Sequence, residues 1–265
     1  MGMVLLSFDT EEFDLPREQG LDYDSVGQGV EVSRYGINRI LDILEKHEVK
    51  ATFFCTTNFA VNAPAEMQRI KSGGHEIAAH GCDHFSPKPE DTLRCKMILE
   101  ELADVKVKGW RQPRMFPVDI DRLKSEGYEY NASLNPAFIP GRYMHLNMPR
   151  TSFMEKGVLQ IPASVTPWFR IPMFWLSLHN FPLVIYKWLL RRILKHDGYF
   201  NTYFHPWEFY PLGEHPEFKT PFIIKRNAGD AMCRRLDSVI ADLKARGAVF
   251  DTYSKFTERL NNNKI

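Results

Sequence analysis

Cysteine is scarce in these 265 residues, with four at Cys55, Cys82, Cys95 and Cys233, irregularly spaced. That excludes the dense disulfide framework of a secreted mini-domain and the paired CxxC knuckles of a structural metal site, and leaves reduced, buried thiols as the plain reading. A surplus of either charge is also lacking. Thirty-four Lys and Arg balance 33 Asp and Glu, a formal charge of +1, so net charge supplies no footprint for nucleic acid or for an anionic membrane. No stretch reaches the ~20 mostly apolar residues of a spanning helix. The nearest, Ile171 to Leu194, is interrupted by Pro172, Asn180, Pro182, Lys187, Arg191 and Arg192. Internal repeats and low-complexity tracts do not stand out. The N-terminus meets Asp9 without a basic lead or a long apolar core, which reads as a cytoplasmic chain. What is there, 44% apolar and 25% charged residues, suits one large core.

Short apolar runs alternate with segments of helical period. Val4–Phe8, Ala51–Thr56, Glu76–Ala79, Val107–Trp110, Tyr128–Ser133, Phe200–Phe204 and Val249–Thr252 read as strands. Val32–His47, Pro64–Ser72, Pro89–Leu102, Ile120–Glu126, Pro182–Lys195, Ala228–Arg246 and a short segment from Ser254 read as helices. The aperiodic, Pro- and aromatic-rich stretch from about Pro136 to Pro172 reads as long connections around a site. The alternation predicts an α/β chain, a single-domain distorted (β/α) barrel of about seven βα units over residues 1–265, with the open doubly wound sheet as the alternative. The Pro182–Lys195 segment reads as a core helix with a basic last turn, and its aromatics also suit peripheral contact with a membrane.

Several strands end in ionisable residues, where α/β proteins place their sites. After the first come Asp9, Thr10, Glu11 and Glu12. Alternation along an extended segment sends Asp9 and Glu11 to one side and Thr10 to the other. The third strand runs into His80 and His84, whose spacing suits one face of a helical turn and convergence on one metal. With a carboxylate from another strand they make a His₂-carboxylate set that leaves a position open for water, suited to zinc and its borderline neighbours. Arg111, in Arg111-Gln112-Pro113, can hold a carboxylate in its ionised state. His205 follows the late apolar strand, where a general acid could sit. Taken singly, each has a bland alternative: a solvated acidic turn, a chance histidine pair, a surface arginine, a core histidine.

In this order the motifs resemble the polysaccharide deacetylases of the NodB-homology type, carbohydrate esterase family 4, over Ser7 to about Phe209. Tyr203-Phe204-His205-Pro206-Trp207-Glu208 is similar to a segment of the branch found in bacterial exopolysaccharide loci. The resemblance implies Asp9 as general base, Glu11, His80 and His84 as metal ligands, Arg111 as the group that orients Asp9 and keeps it charged, and His205 as general acid. Thr10 stands where the family's second acid usually follows directly, which leaves Glu11 or Glu12 as the ligand, and side-chain alternation favours Glu11. Arg114 and Met115 replace an aromatic residue and a glycine common in the third motif. The fourth motif, an acid and a tryptophan, is not evident; Asn131 occupies a comparable segment, and no partner for His205 can be named.

The implied activity is metal-dependent removal of N-acetyl groups from an amino sugar, a polysaccharide or its intracellular precursor. A divalent cation, zinc first and cobalt, nickel or manganese after it, serves the reaction together with a backbone N–H near the third motif. A bell-shaped pH profile follows from one base and one acid. Trp110, Phe116, Trp168, Phe169, Trp175, Trp207 and Tyr210 suit sugar faces, and equally a core. Glu208 reads as the partner of a nearby arginine. The alternatives are hydrolysis of a small amide, imide or ureide, and a non-catalytic carbohydrate-binding protein of the same fold.

Overall fold

The computed structural model describes residues 2–139, 143–144 and 146–262. The single-domain reading of residues 1–265 therefore includes residues 1, 140–142, 145 and 263–265, which lie outside the described ones. Val4-Leu5-Leu6-Ser7-Phe8 is buried at every position, and a strand buried on both faces belongs inside a parallel sheet. It forms the centre of β1 (Met3–Thr10). Next come α1 (Gln28–Lys46), β2 (Thr52–Cys55), α2 (Thr57–Asn62), α3 (Pro64–Ser72), β3 (Glu76–Ala79), α4 (Asp91–Ala103), β4 (Gly109–Trp110), α5 (Ile120–Ser125) and β5 (Tyr130–Asn131). After the hairpin β6 (Phe153–Glu155) and β7 (Val158–Gln160) come α6 (Trp175–Asn180), α7 (Leu183–Asp197), β8 (Tyr199–Phe204), α8 (Asp230–Ala245), β9 (Val249–Phe250) and α9 (Tyr253–Asn262).

The sheet runs β8-β1-β2-β3-β4-β5-β7-β6, with β9 also on β1, and every pair is parallel except β6–β7. It is a mixed sheet, curved into a distorted (β/α) barrel. Where β7 would have to meet β8, Asn201 takes over. Its carbonyl accepts from Ser164 N–H at 3.0 Å, its own N–H donates to Ser164 Oγ at 2.9 Å, and its amide donates to the Pro162 carbonyl at 2.8 Å.

Alternation along β1 divides two cores. Val4, Leu6 and Phe8 pack under the helices, while Leu5 joins Phe54, Tyr130 and Tyr253 in the barrel interior. Asp9 has the parity of Leu5. Gly36 lets α1 approach the carbonyl of Pro206, since a Cβ there would lie 1.8 Å from that oxygen.

Two expectations need correction. The 136–172 stretch holds β6 and β7, joined through Lys156 (φ 49°) and Gly157 (φ 87°). That is a two-residue left-handed turn. A Lys-Gly turn is a weaker hairpin signal than Asn-Gly. The segment read as a strand from Ala51 to Thr56 ends at Cys55; Thr56 instead caps α2, its hydroxyl accepting from Phe59 N–H at 3.2 Å.

His75, just before β3, accepts from the Ala51 N–H through Nδ1 at 3.3 Å. Burial, then Lys50 and Arg69, lower it from 6.5 to about 4. Its folded value lies below its unfolded one, so its contribution is complete above pH 6.5 and is lost as the pH falls towards 4. Tm against pH should therefore show a shallower acid limb in His75→Gln than in the wild type.

Candidate active site

Register brings the strand ends to one rim. Phe8 pairs with Phe204, Thr10 with Cys55, Cys55 with Ala79 and Ala79 with Trp110. The next residues along their chains, Asp9, His80, Arg111 and His205, therefore stand side by side at the carboxyl ends. Arg111 is buried. Its Nη1 is paired with Asp9 Oδ1, its Nη2 donates to the Tyr253 hydroxyl at 2.9 Å, and its Nε donates to the Ala132 carbonyl at 3.2 Å. The guanidinium lies 4.0 Å from the centre of the Phe54 ring. Burial opposes its charge, yet Asp9, Tyr253 and Tyr203 together more than offset burial and raise the Arg111 pKa. Tyr253, from the first turn of α9, thus reaches into the barrel, where it also touches Ser7 Oγ at 3.2 Å.

Glu11 lies 3.2 Å from His80 Nε2 and 3.2 Å from His84 Nε2 through the same oxygen, Oε2. Burial alone would raise this carboxyl, but His84, His80 and His205 draw it down to about 2. For His84 burial disfavours the cation, and Glu11 and Asp14 overcome it, lifting the ring to about 10. Glu11, His80 and His84 each offer a ligand atom within 4.8 Å of the others, a group able to hold a metal ion. The donor chemistry fits a divalent cation. His80 Nδ1 lies 2.8 Å from the Arg111 carbonyl and His84 Nδ1 2.9 Å from Asp14 Oδ2. With a cation bound, the acceptor behind each ring would keep the proton on Nδ1 and leave the Nε2 lone pair facing the centre. Glu12 faces elsewhere, accepting from Thr56 Oγ1 at 2.8 Å, Asn58 at 3.3 Å and the His84 N–H at 3.2 Å.

The histidine pair is not helical, contrary to expectation. Residues 80–84 form an irregular loop with Gly81 at φ 81°, and the two rings stack with centres 5.9 Å apart. A left-handed glycine turns the loop back, and a Cβ there would sit 3.1 Å from Pro113. Convergence comes from the loop's path rather than from the pitch of a helix.

His205 Nε2 is 4.0 Å from both Asp9 Oδ2 and Glu11 Oε1. Behind it, Glu208 accepts from His205 Nδ1 at 2.9 Å and from the His205 N–H at 2.5 Å, and its other oxygen meets His179 Nε2 at 2.9 Å. The expected arginine partner of Glu208 is therefore replaced by two histidines, and Glu208 is the partner of His205 that could not be named. Burial penalises the His205 cation, while Glu208, Glu11 and Asp9 more than offset it and raise its pKa. Trp207 stacks on the His205 ring at 4.7 Å and donates from Nε1 to Glu11 Oε1 at 3.2 Å. Asn131 lies apart, bonded to Gln160 at 2.7 Å and Ser133.

These groups open on a cleft of about 610 Å³, lined also by Phe116, Trp175, Trp207 and Ile223. Of the other aromatics considered, Trp110 is core, and Trp168 and Phe169 are exposed outside the cleft lining. Arg114 and Met115, the departures in the third motif, both adopt left-handed backbone (φ 59° and 56°) at the cleft edge. Arg114 reaches Glu18 at 2.5 Å. Of the backbone donors there, Arg111 N–H is bonded to Ala79 and Gln112 N–H to Ser133 Oγ. Asp14, Glu208, His179 and Tyr253 were not singled out as site residues. Only Glu208 carried a signal, three positions after His205.

Residues 26–124 match the family model for polysaccharide deacetylase. Over that stretch, less than half of the chain, the sequence is similar to polysaccharide deacetylases. The chain is 26% identical over 120 residues to a peptidoglycan deacetylase of Helicobacter pylori, covering 42% of this chain and 41% of that protein. It is 37% identical over 57 residues to a chitooligosaccharide deacetylase of Bradyrhizobium, covering 22% and 24% of the two chains. The aligned parts thus span less than half the length of these relatives. A solved structure from Mycobacterium smegmatis, provisionally described as a polysaccharide deacetylase, shares the fold with a TM-score of 0.67 at 19% identity, covering 99% of this chain and 91% of that one. Among the described residues no helix is long and apolar enough to cross a membrane.

Proposed function

We propose that the chain is a divalent-metal-dependent hydrolase that removes N-acetyl groups from an amino sugar, a polysaccharide or a precursor of one, with residues 1–265 acting as one domain. The observation that carries this reading is one Glu11 oxygen 3.2 Å from the Nε2 atoms of both His80 and His84, beside the paired Asp9 and Arg111. Glu11, His80 and His84 would hold the cation, zinc by donor type, which when bound supplies Lewis acidity towards a carbonyl oxygen and towards water.

The chain's own groups divide the proton traffic. Asp9 keeps one oxygen on Arg111 and turns Oδ2 towards His205 across the cleft; that oxygen takes the proton from the attacking water. His205 donates from Nε2 to the departing amine as the carbon–nitrogen bond breaks, giving acetate and a free amino sugar. Glu208 fixes the ring by holding Nδ1, and Trp207 packs against its face. The apolar surfaces of Trp175, Trp207 and Phe116 along the cleft suit the faces of a sugar ring.

Elemental analysis after dialysis tests the site. Wild-type protein should retain close to one equivalent of zinc or a neighbouring transition metal, and the His80→Ala, His84→Ala double variant almost none. Acetate release should follow the metal when the dialysed protein is screened over N-acetylated sugars. Lack of metal in the wild type after soaking with zinc or cobalt would overturn the reading.

A further inference from the structure

The net charge of +1 conceals segments in which cations stand without acids. From Leu183 to His196, α7 carries Lys187, Arg191, Arg192 and Lys195 and no acid. Its inward stripe is Tyr186, Leu190 and Ile193. Its outward face would be polar in an ordinary surface helix, yet it presents Val184 (78% exposed), Ile185 and Trp188 (52%) ahead of Arg192 and Lys195. Arg191 is engaged by Asp242 at 3.5 Å and Lys187 by Ser238 at 2.8 Å, whereas Arg192 lies over the Trp188 ring at 5.0 Å and Lys195 is exposed.

A second segment repeats the pattern. Pro221 to Arg226 exposes Phe222 (66%) and Ile223 (54%), followed by exposed Lys225 and Arg226. It is tied to α6 where the chain leads into α7, because Asn180 donates to the Ile223 carbonyl at 2.9 Å and Asn227 bonds the His179 carbonyl. Ile223 also lines the cleft. Apolar and aromatic side chains followed by uncovered cations, with no acid between them, are the composition of a surface that lies on a bilayer: the apolar groups enter the acyl boundary and the cations meet anionic headgroups.

We propose that the outward face of α7, with Phe222 to Arg226, docks on an anionic phospholipid surface and so holds the mouth of the cleft against the membrane. The inference stands on surface chemistry and does not depend on the deacetylase reading.

Co-sedimentation of the full chain tests it, with vesicles of phosphatidylcholine alone and of phosphatidylcholine with about one-third phosphatidylglycerol. Binding to the anionic vesicles should exceed binding to the neutral ones by about tenfold or more and should weaken at high salt. Both Val184→Ser, Ile185→Ser, Trp188→Ser and Arg192→Glu, Lys195→Glu should lose it; these positions are solvent-facing, so Tm should hold. Wild-type protein that stays in the supernatant with anionic vesicles, or variants that sediment as well as the wild type, would overturn the proposal. So would a dimer in light scattering that dissociates in the triple variant, since the face would then belong to a second copy. Metal content and acetate release from water-soluble substrates are read on the same samples, so failure of the docking surface is distinguishable from failure of the hydrolase.

Discussion

Asp9→Asn should lower kcat for acetate release by about 10²–10⁴-fold, the range typical for loss of a positioned proton acceptor. Metal content should be unchanged, because the substituted amide is isosteric and Glu11, His80 and His84 keep their places. KM should move little, so the loss falls on kcat and on kcat/KM alike, as expected for an interaction made only in the transition state. The measurement is initial rates of acetate release on metal-loaded wild type and variant, with metal content read in parallel. A variant within about tenfold of wild type would remove Asp9 from the role of base, and loss of metal together with rate would move it among the ligands.

Arg111→Met should be the most destabilising single change at the site. The side chain is 1% exposed and Asp9 3% exposed, so removing the guanidinium strands a carboxylate inside the barrel, a change that typically costs about 3–5 kcal/mol. The Tyr253 hydroxyl and the Ala132 carbonyl lose their donor as well. Arg111→Lys keeps the charge without the planar fork that serves three acceptors, and should lose stability to an intermediate extent. The decisive comparison is the double variant Asp9→Asn, Arg111→Met in denaturant unfolding. Its loss should be clearly smaller than the sum of the two single losses, because the second substitution removes the charge that the first one strands. Additivity within about 0.5 kcal/mol would mean that the pair is not coupled.

The legible parts of the fold were those whose signal is local. Val4 to Phe8 reads as a buried strand from five residues, and α3 closes at Ser72 as Gly73 and Gly74 announce. The hairpin β6–β7 escaped because its strands are three residues each and its turn is Lys-Gly. Glu11 was favoured over Glu12 on parity alone, and parity also carries Asp9 into the barrel with Leu5. The histidine pair was legible as a pair, but the helical turn assigned to it was not there, since a glycine-turned loop reaches the same convergence. Tyr253 could not be found: it lies 142 residues after Arg111 in the chain, and nothing around it marks a group that enters the barrel from the start of the last helix.

The sequence by itself determined the strand and helix alternation, the order of the ionisable strand ends and the chemistry each could supply, because periodicity and residue type are properties of short segments. Tertiary structure alone decided the rest: that Asp9, His80, Arg111 and His205 fall side by side, that Glu208 and His179 stand behind His205, and that Asn201 bridges the gap no ladder closes. These depend on strand register and on contacts between residues far apart in the chain, 102 positions for Asp9 and Arg111 and 29 for His179 and Glu208. Such contacts are selected by burial in a shared interior, where a polar group without a partner is costly, and no local pattern encodes which partner that will be.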